Sequence, residues 1–327
     1  MQTIKINFSD FWPGFNPLEH RIFRLLKERY WVEISDQPEY LFFCDHGFDH
    51  LNYNCIKIYY SGENTVPDFN LCDYAVASSK LQFGDRYLRI PLCGIRSEEY
   101  EPLRLPKKIL PEAAERKFCN FVYSNSSSAN PFRLDFFHRL NKYKKIDSGG
   151  KLENNIGGRV GDKAAFQSQY KFSIAFESVA TDGYITEKII QPMLVSSMPI
   201  YWGSPSVSED FNEKSFVHVK DSSEAAANAA IDEIVHLDTN PMAYIEKLSL
   251  PWIIEEQYVD YQKILAEYLY HIVDQPFSQG RRLSQYGRTI VYKNNLLRLV
   301  NKCSTKASKD IKKSSLASKL SKFFVSK

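Results

Sequence analysis

The sequence predicts an α/β protein made of two parallel-sheet domains and closed by a basic tail. Three observations carry that prediction. Short apolar runs alternate with amphipathic stretches along both halves of the 327 residues. A proline- and charge-rich segment interrupts the alternation between Pro102 and Glu115. The unbalanced positive charge gathers at the C-terminal end.

Taken in order, Ile4–Phe8 alternates as a strand. Pro17–Tyr30 places Leu18, Ile22, Leu25 and Leu26 at helical spacing, with Asn16 as its cap. Trp31–Ile34, Tyr40–Cys44 and Ile56–Tyr60 follow as strands, and Asp73–Ala77 and Tyr87–Ile90 add short ones. After the linker, Lys117–Tyr123 reads as a strand and Asn130–Asn141 as a helix with Pro131 in its first turn. Asp147–Gly161, rich in Gly and Asn, reads as a loop. Lys171–Phe176 is a strand, Thr186–Leu194 a helix, Met198–Tyr201 a buried strand and Phe216–Val219 another. Glu224–Leu237 and Trp252–Asp274 complete the pattern as helices. The resulting division is 1–110, 111–270 and a C-terminal helix with tail at 271–327.

Composition narrows the class. At 43% hydrophobic, the chain can fill two cores. The 20 Tyr and 22 Phe suit a sugar-binding cleft and suit ordinary cores equally. Six cysteines contain no C-x-x-C pair, so neither a zinc knuckle nor a disulfide framework is expected, and a reducing compartment is. Met1–Ile6 has no signal-peptide character, and no apolar run reaches the roughly 18 residues of a membrane span.

From Arg281 onward there are thirteen Lys and Arg against one acid, Asp310, whereas the rest holds 29 basic and 38 acidic residues. Such a tail suits anionic lipid or nucleic acid. The second is disfavoured because folded nucleic-acid modules spread basic residues over a face. Leu316, Leu320, Phe323 and Phe324 with Lys319, Lys322 and Lys327 allow an amphipathic membrane-surface helix or an unstructured solvated run.

The chemistry concentrates in YKFSIAFESVATDGYITEKIIQPMLVSSMPIYWGSPSVSEDFNEKSFVHV, Tyr170 to Val219. A strand enters a polar loop with Gly183 and turns into a helix at Tyr184-Ile185-Thr186-Glu187-Lys188. Unpaired N–H groups at a helix start, with Lys188 beside them, can cradle a diphosphate. An ordinary helix capped by Thr186, with a solvated lysine, is the other reading. Glu63 follows a strand in Ser61-Gly62-Glu63-Asn64, the edge where α/β sheets gather ligands, and could act as a general base or be a solvated loop residue. Arg133, near a helix start, could grip a diphosphate or sit on the surface. Trp202 could line a pocket or fill the core. His46 and His50 are spaced by four, but Gly47 argues against a helical metal site. No D-x-D motif occurs, so no metal is expected.

Together these segments resemble the bacterial α1,3-fucosyltransferases that use GDP-fucose. The resemblance runs from about Tyr59 to His218. It is strongest in YYSGENTVPDFNLCDYAVASSKLQFGDRYLRIPL (Tyr59–Leu92) and in the stretch quoted above. It implies two Rossmann-like domains facing across a cleft, the GT-B arrangement, with the acceptor on the first and GDP-fucose on the second. Glu63 falls on the family's base, Arg133 on its diphosphate-binding arginine, and Tyr184, Glu187 and Lys188 on its donor motif. Lys188 would neutralise the diphosphate, and Glu187 would stabilise positive charge at the anomeric carbon. The family's Phe-Glu-Asn is Phe176-Glu177-Ser178 here, so Glu177 and Ser178 are expected at the donor, with one nucleotide contact in doubt. The tail lacks the seven-residue repeats that some members carry. Asp45 and His46 are expected to meet the acceptor.

The expected reaction is inverting transfer of L-fucose in α1,3 linkage, with α1,4 as the alternative. The acceptor would be a GlcNAc- or glucose-containing glycan such as a lipopolysaccharide chain. No cofactor is required, though Mn2+ or Mg2+ could stimulate. A bacterial cytoplasmic location is expected, with the basic tail against the inner membrane and no nucleic-acid partner. A transferase using another GDP-sugar, a non-catalytic sugar-nucleotide binder and a nucleic-acid binder are the alternatives.

Overall fold

The computed structural model describes residues 1–125 and 129–303. The first sheet holds β1 (Thr3–Ser9), β2 (Trp31–Ile34), β3 (Tyr40–Phe43), β4 (Ile56–Tyr60), β5 (Tyr74–Ala77) and β6 (Tyr87–Arg89) in the order β2-β1-β3-β4-β5-β6. Every pairing is parallel. The inner strands YLFF, IKIYY and YAVA are buried along their whole length. That is why they read as continuous apolar runs: both faces of a parallel sheet are covered. The edge strand β2 is largely exposed, and its Trp31 lies open.

The predicted helix over Pro17–Tyr30 is broken. Asn16 caps only a 3-10 turn, Pro17–Glu19, and His20 at ψ 143° restarts the chain as α1, Arg21–Lys27. Two short helices, α2 (Leu92–Ile95) and α3 (Ser97–Tyr100), end the first half. The linker then crosses over in 3-10 turns at Glu101–Arg104 and Pro111–Glu115.

The second sheet contains β7 (Lys117–Phe121), β8 (Ile146–Ser148), β9 (Tyr170–Phe176), β10 (Met198–Trp202) and β11 (Val217–His218) in the order β11-β10-β9-β7-β8, again parallel. Its crossovers carry α4 (Phe132–Tyr143), α5 (Lys163–Gln167), α6 (Glu187–Leu194) and α7 (Val207–Asp210). β8 falls at the start of the expected Asp147–Gly161 loop. Three residues are too few to show alternation, and pairing with Cys119–Phe121 defines the strand instead.

α8 (Glu224–Thr239) and α9 (Pro241–Ser249) follow, and then α10 (Tyr261–Asp274) and α11 (Phe277–Gly280). The helix expected to begin at Trp252 begins only at Tyr261, where the Asp260 carboxylate accepts the Lys263 N–H at 2.9 Å. Trp252 is apolar because it is buried, not because it is helical. α10 packs back on the first half. Tyr270 donates to the Leu25 carbonyl (3.0 Å), Tyr30 to Asp274 (2.6 Å) and Arg21 to Gln262 (3.1 Å). The expected boundary at 270 falls within this helix. A further helix begins at residue 288 and continues to 303. The amphipathic reading of Leu316–Lys327 lies outside the described residues.

The two C-terminal sheet edges face each other. Arg89 of β6 makes a two-pronged bond to Asp210 (3.0 and 2.9 Å) and donates to the Gly183 carbonyl (3.2 Å). Asn64 donates to Thr181 at 3.0 Å. Gly183, at φ +84°, could not be another residue, because a Cβ there would lie 2.5 Å from the Ser78 carbonyl oxygen.

Candidate active site

Between those edges lies a cleft of about 430 Å3, lined by Glu63 from the first half and by Tyr123, Asn125, Arg133, Lys163, Ser178, Tyr184, Glu187 and Lys188 from the second. Six of the sequence-predicted residues meet here: Glu63, Arg133, Ser178, Tyr184, Glu187 and Lys188.

The second wall grows out of β9. The strand ends at Phe176, and the chain returns through Gly183 to Thr186, whose hydroxyl accepts the Lys188 N–H (3.3 Å) and caps α6. Glu177 is completely buried and does not line the cleft. This corrects its expected place at the donor. Its carboxylate accepts the Thr186 N–H (2.8 Å) and hydroxyl (2.9 and 2.8 Å) and pairs with the Lys188 ammonium at 3.2 Å. Burial raises the pKa of Glu177, and Lys188 and the Thr186 donors act against that rise. Paired with the Lys188 ammonium, Glu177 is its counter-charge under the turn.

Burial disfavours the charge on Lys188, but Glu177 and Glu187 outweigh it and raise the ammonium's pKa, so Lys188 stays cationic across ordinary pH. For Glu187 burial also opposes charge, yet Lys188, Lys163 and Arg96 hold its pKa below the usual carboxylate value. Tyr184 is pushed up to about 12, first by burial and then by Glu177, and remains a neutral hydrogen-bonding group.

Arg133 projects from α4. Its guanidinium stacks over Tyr123 at 4.2 Å and donates to the carbonyls of Phe176 (3.1 Å) and Asn125 (3.4 Å). Only 4% of the residue is exposed, and its Nε has no partner among the described residues. It lines the cleft as a planar cation fixed by an aromatic face. The Ser178 carbonyl accepts the Asn130 N–H at 2.7 Å, tying the motif to the start of α4.

Lys163, at the start of α5, lines the cleft and donates to Gln191 at 2.8 Å. Burial lowers its pKa. Sequence reading left it unassigned. The available signal was Asp162, whose side chain accepts the Ala165 N–H at 3.0 Å and so marks a helix start.

On the first wall, Glu63 follows β4 on an exposed loop. Its N–H meets Ser61 Oγ at 3.1 Å, and its carbonyl accepts from Ser78 at 3.2 Å. Asp45 and His46 lie on the neighbouring loop and do not line the cleft. The Asp45 carboxylate already accepts hydroxyls from Tyr59 (2.6 Å) and Ser61, so it braces the Glu63 loop, while His46 is exposed. His50 turns away to pair with Asp10 at 2.6 Å, and no cluster of metal-ligating side chains occurs among the described residues. Trp202 packs in the core against Phe132 and Phe176 at 5.4 and 5.8 Å.

Two parallel-sheet halves with a cationic cleft at their facing edges and a carboxylate opposite form the GT-B arrangement. Residues 6–95 match the α-(1,3)-fucosyltransferase FucT N-terminal domain, and residues 113–273 match the C-terminal part of glycosyltransferase family 10. The chain belongs to this fucosyltransferase family.

A Helicobacter pylori α-(1,3)-fucosyltransferase FucT is 32% identical over 300 residues, covering 75% of this chain and 59% of that protein. The chain thus spans somewhat over half the length of that relative. A crystal structure of an α1,3-fucosyltransferase with GDP-fucose aligns at TM-score 0.69 and 30% identity, covering 85% of this chain and 93% of the other. A second α1,3-fucosyltransferase crystal structure aligns at TM-score 0.72 and 30% identity, covering 84% of this chain and 91% of the other.

Proposed function

We propose that the chain transfers L-fucose from GDP-fucose, with inversion and in α1,3 linkage, to a GlcNAc- or glucose-containing glycan. One observation carries the reading: the Glu63 carboxylate of one half shares a single cleft with Arg133, Lys163 and Lys188 of the other. The diphosphate sits against these cations and the positive end of α6, where leaving-group charge grows in the transition state. Arg133 contributes a planar fork and Lys188 a point charge. Glu187 is an anion held ionised beside them, suited to face positive charge developing on the fucose ring. Glu63 takes the proton from the acceptor hydroxyl as that oxygen attacks the face opposite GDP. The protein's own cations supply the neutralisation that a divalent metal provides elsewhere, so turnover needs none.

Glu63→Gln tests this directly. Transfer should fall about 10^2- to 10^4-fold, the range for a general base, while calorimetric GDP affinity stays unchanged. Near-normal turnover would remove Glu63 from the mechanism.

A further inference from the structure

The C-terminal edge of the first sheet carries more than Glu63. Because β1, β3 and β4 are parallel neighbours, the loops that follow them lie side by side. Two braces lock these loops together. Asp10, just after β1, accepts the N–H groups of Asp49 and His50 (both 2.9 Å) and meets His50 Nδ1 at 2.6 Å, while its carbonyl accepts the His46 N–H at 2.9 Å. Asp45 in turn accepts from Ser61, whose Oγ receives the Glu63 N–H. The fit is close: a Cβ at Gly47 would lie 2.4 Å from Asp10 Oδ1. Asp10 itself sits at φ +59°, a left-handed conformation that a non-glycine residue keeps only where the surroundings over-determine it.

The braced rim presents aromatic faces to solvent. Trp12, after β1, is 48% exposed, and Phe48, after β3, is 50% exposed. Trp12 is backed edge-on by Phe11 (5.6 Å) and Phe15 (5.2 Å), which stack on each other at 4.2 Å, so the indole is held in place. Exposed Asp45, His46 and Asp49 stand on the loop that carries Phe48. Flat apolar faces beside hydrogen-bonding groups match a pyranose ring, which has an apolar C–H face and a polar perimeter. Strand spacing puts the β3 and β1 loops about 5 and 10 Å from the β4 loop, in steps comparable with successive sugar rings.

We infer that this rim is an extended acceptor subsite: Trp12 and Phe48 stack on sugar rings beyond the one that receives fucose, so the preferred acceptor is an oligosaccharide chain. The inference rests on Glu63 marking the acceptor hydroxyl. It is tested with the full chain, GDP-fucose and an array of N-acetyllactosamine- and glucose-containing chains of graded length. Wild-type kcat/KM should rise with acceptor length. Trp12→Ala and Phe48→Ala should each cut it about tenfold on long chains through KM, as expected for one lost aromatic contact. Neither variant should change the shortest acceptor or the KM for GDP-fucose, and Trp12→Phe should restore most of the loss. Both side chains are exposed, so unchanged melting temperatures should accompany these results. An identical length dependence in wild type and variants overturns the subsite, as does an equal loss on short and long chains. If Glu63→Gln keeps its turnover while Trp12→Ala loses length preference, the base assignment falls and the subsite stands. If wild type fucosylates no chain, both fall.

Discussion

On the second-half wall of the cleft, Glu177 and Lys188 meet at 3.2 Å beneath the surface, whereas on the first-half wall Glu63 hangs from an exposed loop. One wall is set by an ion pair whose carboxylate is fully buried and whose ammonium reaches the cleft, the other by hydrogen bonds among loops. A buried pair fixes geometry tightly, and removing one partner strands the other. Loops braced at their bases leave their outer side chains free to differ. On the proposed function, the second-half wall suits one invariant diphosphate, and the first-half wall suits variable glycans.

Glu177→Ala should break the comparison most severely. It removes the nearer of the two carboxylates beside Lys188 and frees the Thr186 donors, so we expect a stability loss of about 3 kcal/mol together with loss of GDP binding. Chemical denaturation and calorimetry measure both, and a variant that melts and binds as wild type would refute the counter-charge role.

Acid should act on the other wall. His20 lies under the rim among Phe8, Phe11 and Phe15, and burial, helped by Arg21 and Arg24, lowers its pKa to about 4. The folded value lies below the unfolded one, so the stabilising neutral form is fully present above pH 6.5 and is lost as pH falls toward 4. The cost approaches about 3 kcal/mol by linkage. His20→Phe should gain on wild type in melting temperature as pH drops from 7 to 4.5, and a constant difference would contradict the assignment.

The smallest effect is expected from Lys163→Met, a weakening of GDP-fucose binding of about tenfold, or about 1.4 kcal/mol. Its acceptor KM should not move. A change confined to the acceptor would put Lys163 on the wrong wall.

Much of the second-half wall was legible because it is contiguous: β9, its loop and the start of α6 lie within Tyr170–Leu194. Glu177 was placed in the right motif at the wrong depth, since only the packed strand end shows that its side chain points inward. Lys163 and Asp45 were harder still. Their roles depend on neighbours distant in the chain, Lys188 for one and Tyr59 and Ser61 for the other. The strands YLFF, IKIYY, YAVA and YKFSIAF were readable because burial on both faces leaves little polarity in them. β8 was not, and neither was the break at His20, where backbone geometry alone decides.

The return of α10 to the first half means that the polypeptide passes between the halves twice, once through residues 101–116 and again through 250–260. Two tethers define a line, and a body hung on two points swings about that line more easily than it twists or slides. Any change in the angle between the halves therefore has to bend both tethers at once.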